Sequence, residues 1–206
     1  MSIYSRYILP RVIDCACGMG KLRRLRAGLF PQASGVVLEP GFGSGLNLEF
    51  YDAKRVSKVI AVEPSAEILE LGRARIAAAG FPVEERVADG EQRMGEDASA
   101  DTAVLSFTLC TVADPSRVLD NIRAALKPGG RLLFCEHGAA PDPDVRRWQD
   151  RLNGIWGRLA GGCHLNRDPR ALIEAAGFRI DNVTQAYVPD APRFAAYVTS
   201  GVALSC

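Results

Sequence analysis

Val36-Val37-Leu38-Glu39-Pro40-Gly41-Phe42-Gly43-Ser44-Gly45 reads as a buried strand that runs straight into a glycine-rich turn, and a helical run, Leu46–Tyr51, follows it. The short apolar run Val36-Val37-Leu38 fits a strand covered on both faces, as in a parallel sheet. The glycines permit positive φ and let backbone approach a ligand closely. In the dinucleotide fingerprint GxGxxG the third glycine would fall at Leu46, so the pattern here is GxGxG. A plain tight turn is the competing reading of the loop.

Outward from this loop, short β-rich runs alternate with helical patterns, the signature of a parallel sheet with helices on both faces. The strands expected are Val36–Glu39, Val59–Glu63, Glu84–Ala88, Thr102–Ser106, Arg131–Cys135, Ile180–Thr184 and Arg193–Thr199. Ser65 caps a helix with Glu67 in its first turn and Ile68, Leu69, Gly72, Ile76 and Ala79 on one face, stopped by Gly80. Asp114-Pro115 and Asp168-Pro169 each pair a cap with a first-turn proline. Between them lies a helix with Val145, Trp148, Leu152, Ile155, Trp156 and Leu159 on one face, ended by Gly161-Gly162. The expected architecture is α/β, a Rossmann-like seven-stranded sheet, mostly parallel with the last strand antiparallel. Residues 1–35 are expected as an N-terminal helical arm and 36–206 as the main domain.

Glu63 ends the second strand about 20 residues beyond the loop, where a carboxylate can accept both hydroxyls of a ribose. The competing reading is an acid favoured at the helix start ahead of Ser65. Ala88-Asp89-Gly90-Glu91 places another acid just past the third strand, on the side where open α/β sheets bind ligands.

The chain has 206 residues with 25 Lys and Arg against 24 Asp and Glu, a formal net charge of +1, which argues against an electrostatically driven nucleic-acid binder and favours a small-molecule partner. The 6 cysteines are scattered and imply no disulfide framework. Cys15-Ala-Cys17 has one intervening residue where zinc sites usually have two to four, so no metal is expected. Neither a signal peptide nor an apolar run of about 18 residues is visible, and a cytoplasmic protein is expected. The N-terminal arm mixes Tyr4, Tyr7, Ile8 and Leu9 with a basic run, Lys21, Arg23, Arg24 and Arg26. Read plainly, this is a packed arm with a solvated basic face; the alternatives are a lid over an acceptor pocket and a peripheral membrane contact.

Together, the glycine loop, Glu63, Ala88-Asp89-Gly90-Glu91 and Lys127-Pro128-Gly129-Gly130 resemble the class I S-adenosylmethionine-dependent methyltransferases over residues 36–199. The resemblance implies S-adenosyl-L-methionine as cofactor and S-adenosyl-L-homocysteine as product. It also implies that Gly41, Gly43 and Gly45 lie against the methionine part, that Glu63 holds the ribose and that Asp89 contacts the adenine. Cofactor contacts are expected to extend to Glu39, Asn47, Pro64, Ala88, Gly90, Ser106 and Leu109. Pro40 departs from the pattern by removing a backbone N–H from the loop.

A narrower resemblance rests on Thr108-Leu109-Cys110-Thr111-Val112, Cys135-Glu136-His137, the tryptophan helix and Gly161-Gly162-Cys163-His164-Leu165-Asn166-Arg167. These segments look like the methyltransferase-like 7 group, whose animal members methylate small apolar thiols. The expectation is methyl transfer to a small, apolar acceptor such as a thiol. The alternatives are a phospholipid (phosphatidylethanolamine) N-methyltransferase, a label that similar short bacterial proteins carry, and a non-catalytic S-adenosylmethionine-binding protein. His137, beyond the fifth strand, and His164, in a loop, are the candidate catalytic bases; a histidine bonded to nearby backbone is the competing reading of His137. The candidate acceptor pocket comprises Tyr4, Tyr7, Cys110, Trp148, Trp156 and Cys163. Core packing competes for Cys110 and for both tryptophans.

Overall fold

A computed structural model describes residues 9–205; Tyr4, Tyr7 and Ile8 lie outside the described residues. The described residues begin with α1 (Leu9–Cys17) and α2 (Gly20–Leu29) and then enter β1 (Gly35–Pro40). There follow β2 (Val56–Glu63), α3 (Ala66–Leu71), α4 (Arg73–Ala77), β3 (Val83–Val87), β4 (Ala100–Ser106) and α5 (Pro115–Ala125). The remainder is β5 (Leu126–His137), α6 (Pro143–Leu159), α7 (Pro169–Ala175), β6 (Phe178–Tyr187), α8 (Arg193–Ala196) and β7 (Tyr197–Ser205).

The seven strands form one sheet in the order β3-β2-β1-β4-β5-β7-β6. The first five are parallel, and β7 runs antiparallel to both β5 and β6. From β1 the chain builds outward through β2 and β3, then returns to place β4 on the other side of β1. This reversal opens a crevice at the carboxyl ends of β1 and β4, where such sheets hold ligands. Alternate residues of the central strands feed two cores. Leu38, Ile60, Leu105 and Phe134 pack with α5 and α7 through Val118, Leu119, Ile122 and Ile173. Val37, Val59, Val104 and Leu133 pack on the other face with Leu29, Phe30 and Leu69.

Capping proceeds as the sequence reads: Ser65 accepts from Ile68 N–H, Asp114 from Ser116 and Arg117 N–H, and Asp168 from Ala171 N–H. Three elements differ from expectation. The last strand is Tyr197–Ser205, and Arg193–Ala196 is a short helix. Gly201 is mid-strand, and a Cβ there would lie 2.2 Å from Asn182 O, so β6 can approach only a glycine. The run after the glycine loop is a single 3₁₀ turn, Leu48–Phe50, in place of a helix over Leu46–Tyr51. The Ser65 helix is broken at Gly72, where a Cβ would lie 2.7 Å from Ser44 O: the glycine loop presses against it.

The face buried by α6 also differs. Trp148 (57 % exposed), Ile155 and Leu159 point outward, while Gln149 is the buried residue of the helix. Its amide donates to Gly138 O and Phe194 O and its carbonyl accepts from Ala140 N–H. A buried amide with its own hydrogen bonds thus sets the helix rotation that the tryptophans suggested otherwise. Among the described residues no helix is long and apolar enough to cross a membrane.

Candidate functional site

The switch-point crevice is a cleft of about 470 Å³. Its floor is the loop leaving β1. Gly41, Gly43 and Gly45 all have positive φ, at 66°, 61° and 75°. Gly41 is required by its neighbour, since a Cβ would lie 2.5 Å from Thr108 Oγ1. Gly43 is different: a Cβ there would have only Gly41 O, 3.9 Å away, near it, so this backbone is bare toward the cleft that it lines. That is the surface a ligand needs for close backbone approach.

Glu63 stands at the carboxyl end of β2 and on the cleft wall. One carboxylate oxygen accepts from Gly43 N–H at 3.0 Å and the other from Ser65 N–H at 3.1 Å, so the acid is fixed against the glycine loop. Burial pushes its pKa up, and the two N–H groups oppose the rise. Pro64, Asp89, Gly90 and Ser106 also line the cleft. Asp89 is exposed at the rim.

Glu39, by contrast, lies beneath the floor with its side chain buried. It accepts from Asn47 Nδ2 at 2.7 Å and Tyr51 Oη at 2.5 Å. Burial pushes its carboxyl up to about 7, against the opposing hydrogen bonds and the positive charge of Arg26. Asn47 reaches the cleft, and its Oδ1 is buried without a partner. An orphaned acceptor there is satisfied when a ligand brings a donor. Gly45, Ala88 and Leu109 do not line the cleft: Gly45 faces Phe42 and Leu48, and Ala88 and Leu109 pack into the core.

Sequence reasoning missed three residues that shape the other end. Glu136, wholly buried at the end of β5, accepts from Thr108 N–H at 2.8 Å and Leu109 N–H at 3.1 Å, pinning the loop after β4. Burial raises its carboxyl to about 7 despite those donors. The signal was its place in Cys135-Glu136-His137, but the partners are backbone groups that no side-chain pattern reveals. Arg26, expected on a solvated basic face, is 3 % exposed; it donates to Ser106 Oγ at 3.3 Å, sits over the Phe107 ring and lines the cleft. Asp14 joins α1 to the glycine loop, accepting from Ser44 Oγ and pairing with Arg75 at 3.0 Å, while Arg75 also donates to Ser44 O. With Leu9 and Ile13 beside Gly161, α1 crosses the cleft mouth.

Of the candidate acceptor residues, Trp148 faces solvent with Arg151 over its ring and is not part of the cleft. Trp156 stacks edge-on against Phe194 and donates to Cys163 Sγ at 3.4 Å. His164 is bonded through Nδ1 to Asn153 Nδ2 at 3.1 Å, and burial with the charge of Arg167 lowers its pKa. His137 is buried behind Phe107, its Nε2 3.3 Å from Cys163 Sγ and its Nδ1 without a partner. Burial alone would lower its pKa, but Cys163 and Glu136 outweigh it and the result is a rise. Neither histidine lines the cleft, whereas Thr111, next to Cys110, does.

A family model described as a methyltransferase domain matches residues 38–134. A thiol S-methyltransferase of Rattus norvegicus is 36% identical over 146 residues, covering 69% of this chain and 59% of that protein. A thiol S-methyltransferase of Homo sapiens is 32% identical over 170 residues, covering 77% of this chain and 69% of that protein. The chain therefore spans about three fifths to two thirds of the length of these relatives. An S-adenosylmethionine-dependent methyltransferase structure from Mesorhizobium loti superposes with a TM-score of 0.65 at 22% identity, covering 91% of this chain and 98% of that one.

Proposed function

The chain belongs to the S-adenosylmethionine-dependent methyltransferase family, and on that premise we propose that it transfers a methyl group to a small apolar acceptor, with thiols as the substrate class. The residues of the cleft fit the cofactor. Gly43 offers bare backbone, Glu63 offers a fixed carboxylate for a ribose diol, and the orphaned Asn47 Oδ1 suits an ammonium donor. When bound, S-adenosylmethionine supplies a methyl group already activated by its sulfonium.

The protein's remaining tasks are orientation and exclusion of water. Leu9, Ile13, Phe107 and Val112 give the acceptor end an apolar wall. Arg26 is the observation that carries the thiol reading: a buried guanidinium on that wall favours an anionic acceptor over a cationic one. A thiol gains by becoming a thiolate beside it, whereas a lipid amine must shed its charge first. The names of the two relatives support the same class.

Calorimetry with S-adenosylhomocysteine is the first test, with NAD as the comparison. Glu63→Ala is expected to weaken S-adenosylhomocysteine by about 1.5–3 kcal/mol, the scale of hydrogen bonds to a charged group. Transfer of labelled methyl from S-adenosylmethionine is then compared across small thiols, phenols, amines and phosphatidylethanolamine vesicles. Turnover of thiols is the expected result. Turnover of the vesicles alone would make the protein a phospholipid methyltransferase, and binding without turnover of any acceptor would make it a non-catalytic cofactor binder.

A further inference from the structure

Three soft-metal ligands converge behind the acceptor wall from distant parts of the chain. Cys110 follows β4, His137 ends β5 and Cys163 lies in the loop after α6. Their ligand atoms all lie within 4.8 Å of one another, and Cys163 Sγ is 3.3 Å from His137 Nε2. A tetrahedral zinc with sulfur at about 2.3 Å and imidazole nitrogen at about 2.0–2.1 Å spaces its ligands about 3.5–3.8 Å apart. The cluster reaches that spacing by side-chain adjustments of about 1 Å.

We propose that Cys110, His137 and Cys163 bind a zinc ion through two thiolates and the imidazole Nε2, leaving a fourth coordination position for the sulfur of the acceptor. Two thiolates balance the charge of Zn²⁺, so the metal-loaded site is neutral until the acceptor joins it, and the buried Arg26 guanidinium on the same wall offsets the charge that an acceptor thiolate adds. The ligand set is soft and nitrogenous, which selects zinc over magnesium or calcium. Each sulfur also has a polar neighbour of the kind that supports thiolate ligands: the Trp156 indole N–H at 3.4 Å from Cys163 and the Thr111 hydroxyl at 3.4 Å from Cys110. Three protein ligands with one open position are the pattern of catalytic zinc sites, where structural sites have four.

The site abuts the cleft. Thr111 and Gly161 line the cleft one residue from Cys110 and two from Cys163, and the three ligands stand behind that lining, with the Phe107 ring of the same wall 6.5 Å from the His137 ring. This part of the proposal rests on the thiol reading above. The acceptor's S–H proton passes to water as its sulfur joins the metal. A sulfur lone pair then forms the new S–CH₃ bond, while the methyl–sulfonium bond breaks and its electron pair stays on the cofactor's sulfur. The neutral thioether product is a weak ligand and water displaces it.

The test uses the full chain, stripped with chelator and reloaded with zinc or with cobalt(II) as a spectroscopic probe. About one equivalent per chain is expected, with cobalt giving thiolate charge-transfer and tetrahedral d–d bands. Cys110→Ser, Cys163→Ser and His137→Ala should each lower metal affinity at least about 10-fold, and Cys15→Ser should not. S-adenosylhomocysteine titration of each variant shows that it is folded. No metal uptake by the wild-type chain would overturn the site and leave an S–H to imidazole hydrogen bond in its place. Addition of a small thiol should shift the cobalt bands. Bound cobalt whose spectrum ignores saturating thiol would overturn the open position. Failure of thiol methylation with normal cofactor binding and normal metal uptake would instead fall on the thiol reading.

Discussion

Glu39 and Glu136 show what a carboxylate does when a fold takes it out of water. Both lie at strand ends, both are wholly buried, and burial raises each to about 7 from an ordinary 4.5. Neither faces the cleft; one braces Asn47 and Tyr51, the other holds the Thr108 and Leu109 amides. The sequence showed an acid before the glycine loop and allowed a cofactor contact, because a strand's pleat cannot tell which acids will find internal partners. A raised folded-state pKa means that the folded chain holds the proton more tightly than the unfolded chain. Between about pH 4.5 and about 7 the folded state therefore binds more protons, and stability falls as pH rises through that window. Acids lowered by their partners, Glu49 by Arg23 and Glu84 by Lys58, act below it. Thermal unfolding followed from about pH 5 to about 7.5 should show a falling midpoint, and Glu39→Gln should flatten part of the slope. A midpoint that climbs across the window would mean that both acids are ionised and well paired.

Elements were legible where one physical signal dominated. The short apolar runs before Glu39, Glu63 and Ser106 and the aspartate caps before Pro115 and Pro169 landed on observed strands and helix starts. Elements set by tertiary contact were not. The run after the glycine loop is held short by the Asn47 and Tyr51 bonds to Glu39, and α6 is turned by Gln149. Likewise α1, whose role rests on Asp14: this side chain ties the helix to Ser44 and Arg75 and so stretches it across the cleft. The pair is partly exposed, with 38% and 27% of the two side chains accessible, which limits its worth to about 0.5–1.5 kcal/mol. Asp14→Ala should accordingly weaken S-adenosylhomocysteine by no more than about 10-fold, while amide exchange across Leu9–Cys17 accelerates. Unchanged exchange in that helix would show that Leu9 and Ile13 hold it without the ion pair.

At the scale of the molecule, the alternation of strands and helices dictates the layers, and the return of the chain from β3 to β4 dictates where the cleft opens. What the sequence cannot show is which loops meet there. Cys110, His137 and Cys163 are each more than two dozen residues from the next; the side-by-side ends of β4 and β5 bring the first two together, and the bond from His164 N–H to Cys110 O docks the loop that carries Cys163. The cleft is likewise assembled from α1, the glycine loop, the ends of β2 and β4 and the loop at Gly161. An unfolded chain has none of this arrangement, so a ligand that needs all of it binds the folded state alone. Linkage then sets the response: ligand at about 100 times its dissociation constant stabilises by about 2.7 kcal/mol. For a domain of this size each kcal/mol moves the midpoint by about 2–4 °C, so S-adenosylhomocysteine should raise it by about 5–10 °C. Hydrogen exchange should slow together in Leu9–Cys17, in the glycine loop and at Gly161, segments far apart in sequence that meet at the cleft. A midpoint that S-adenosylhomocysteine leaves in place, or protection confined to the glycine loop, would mean that α1 and the Gly161 loop take no part in holding the cofactor.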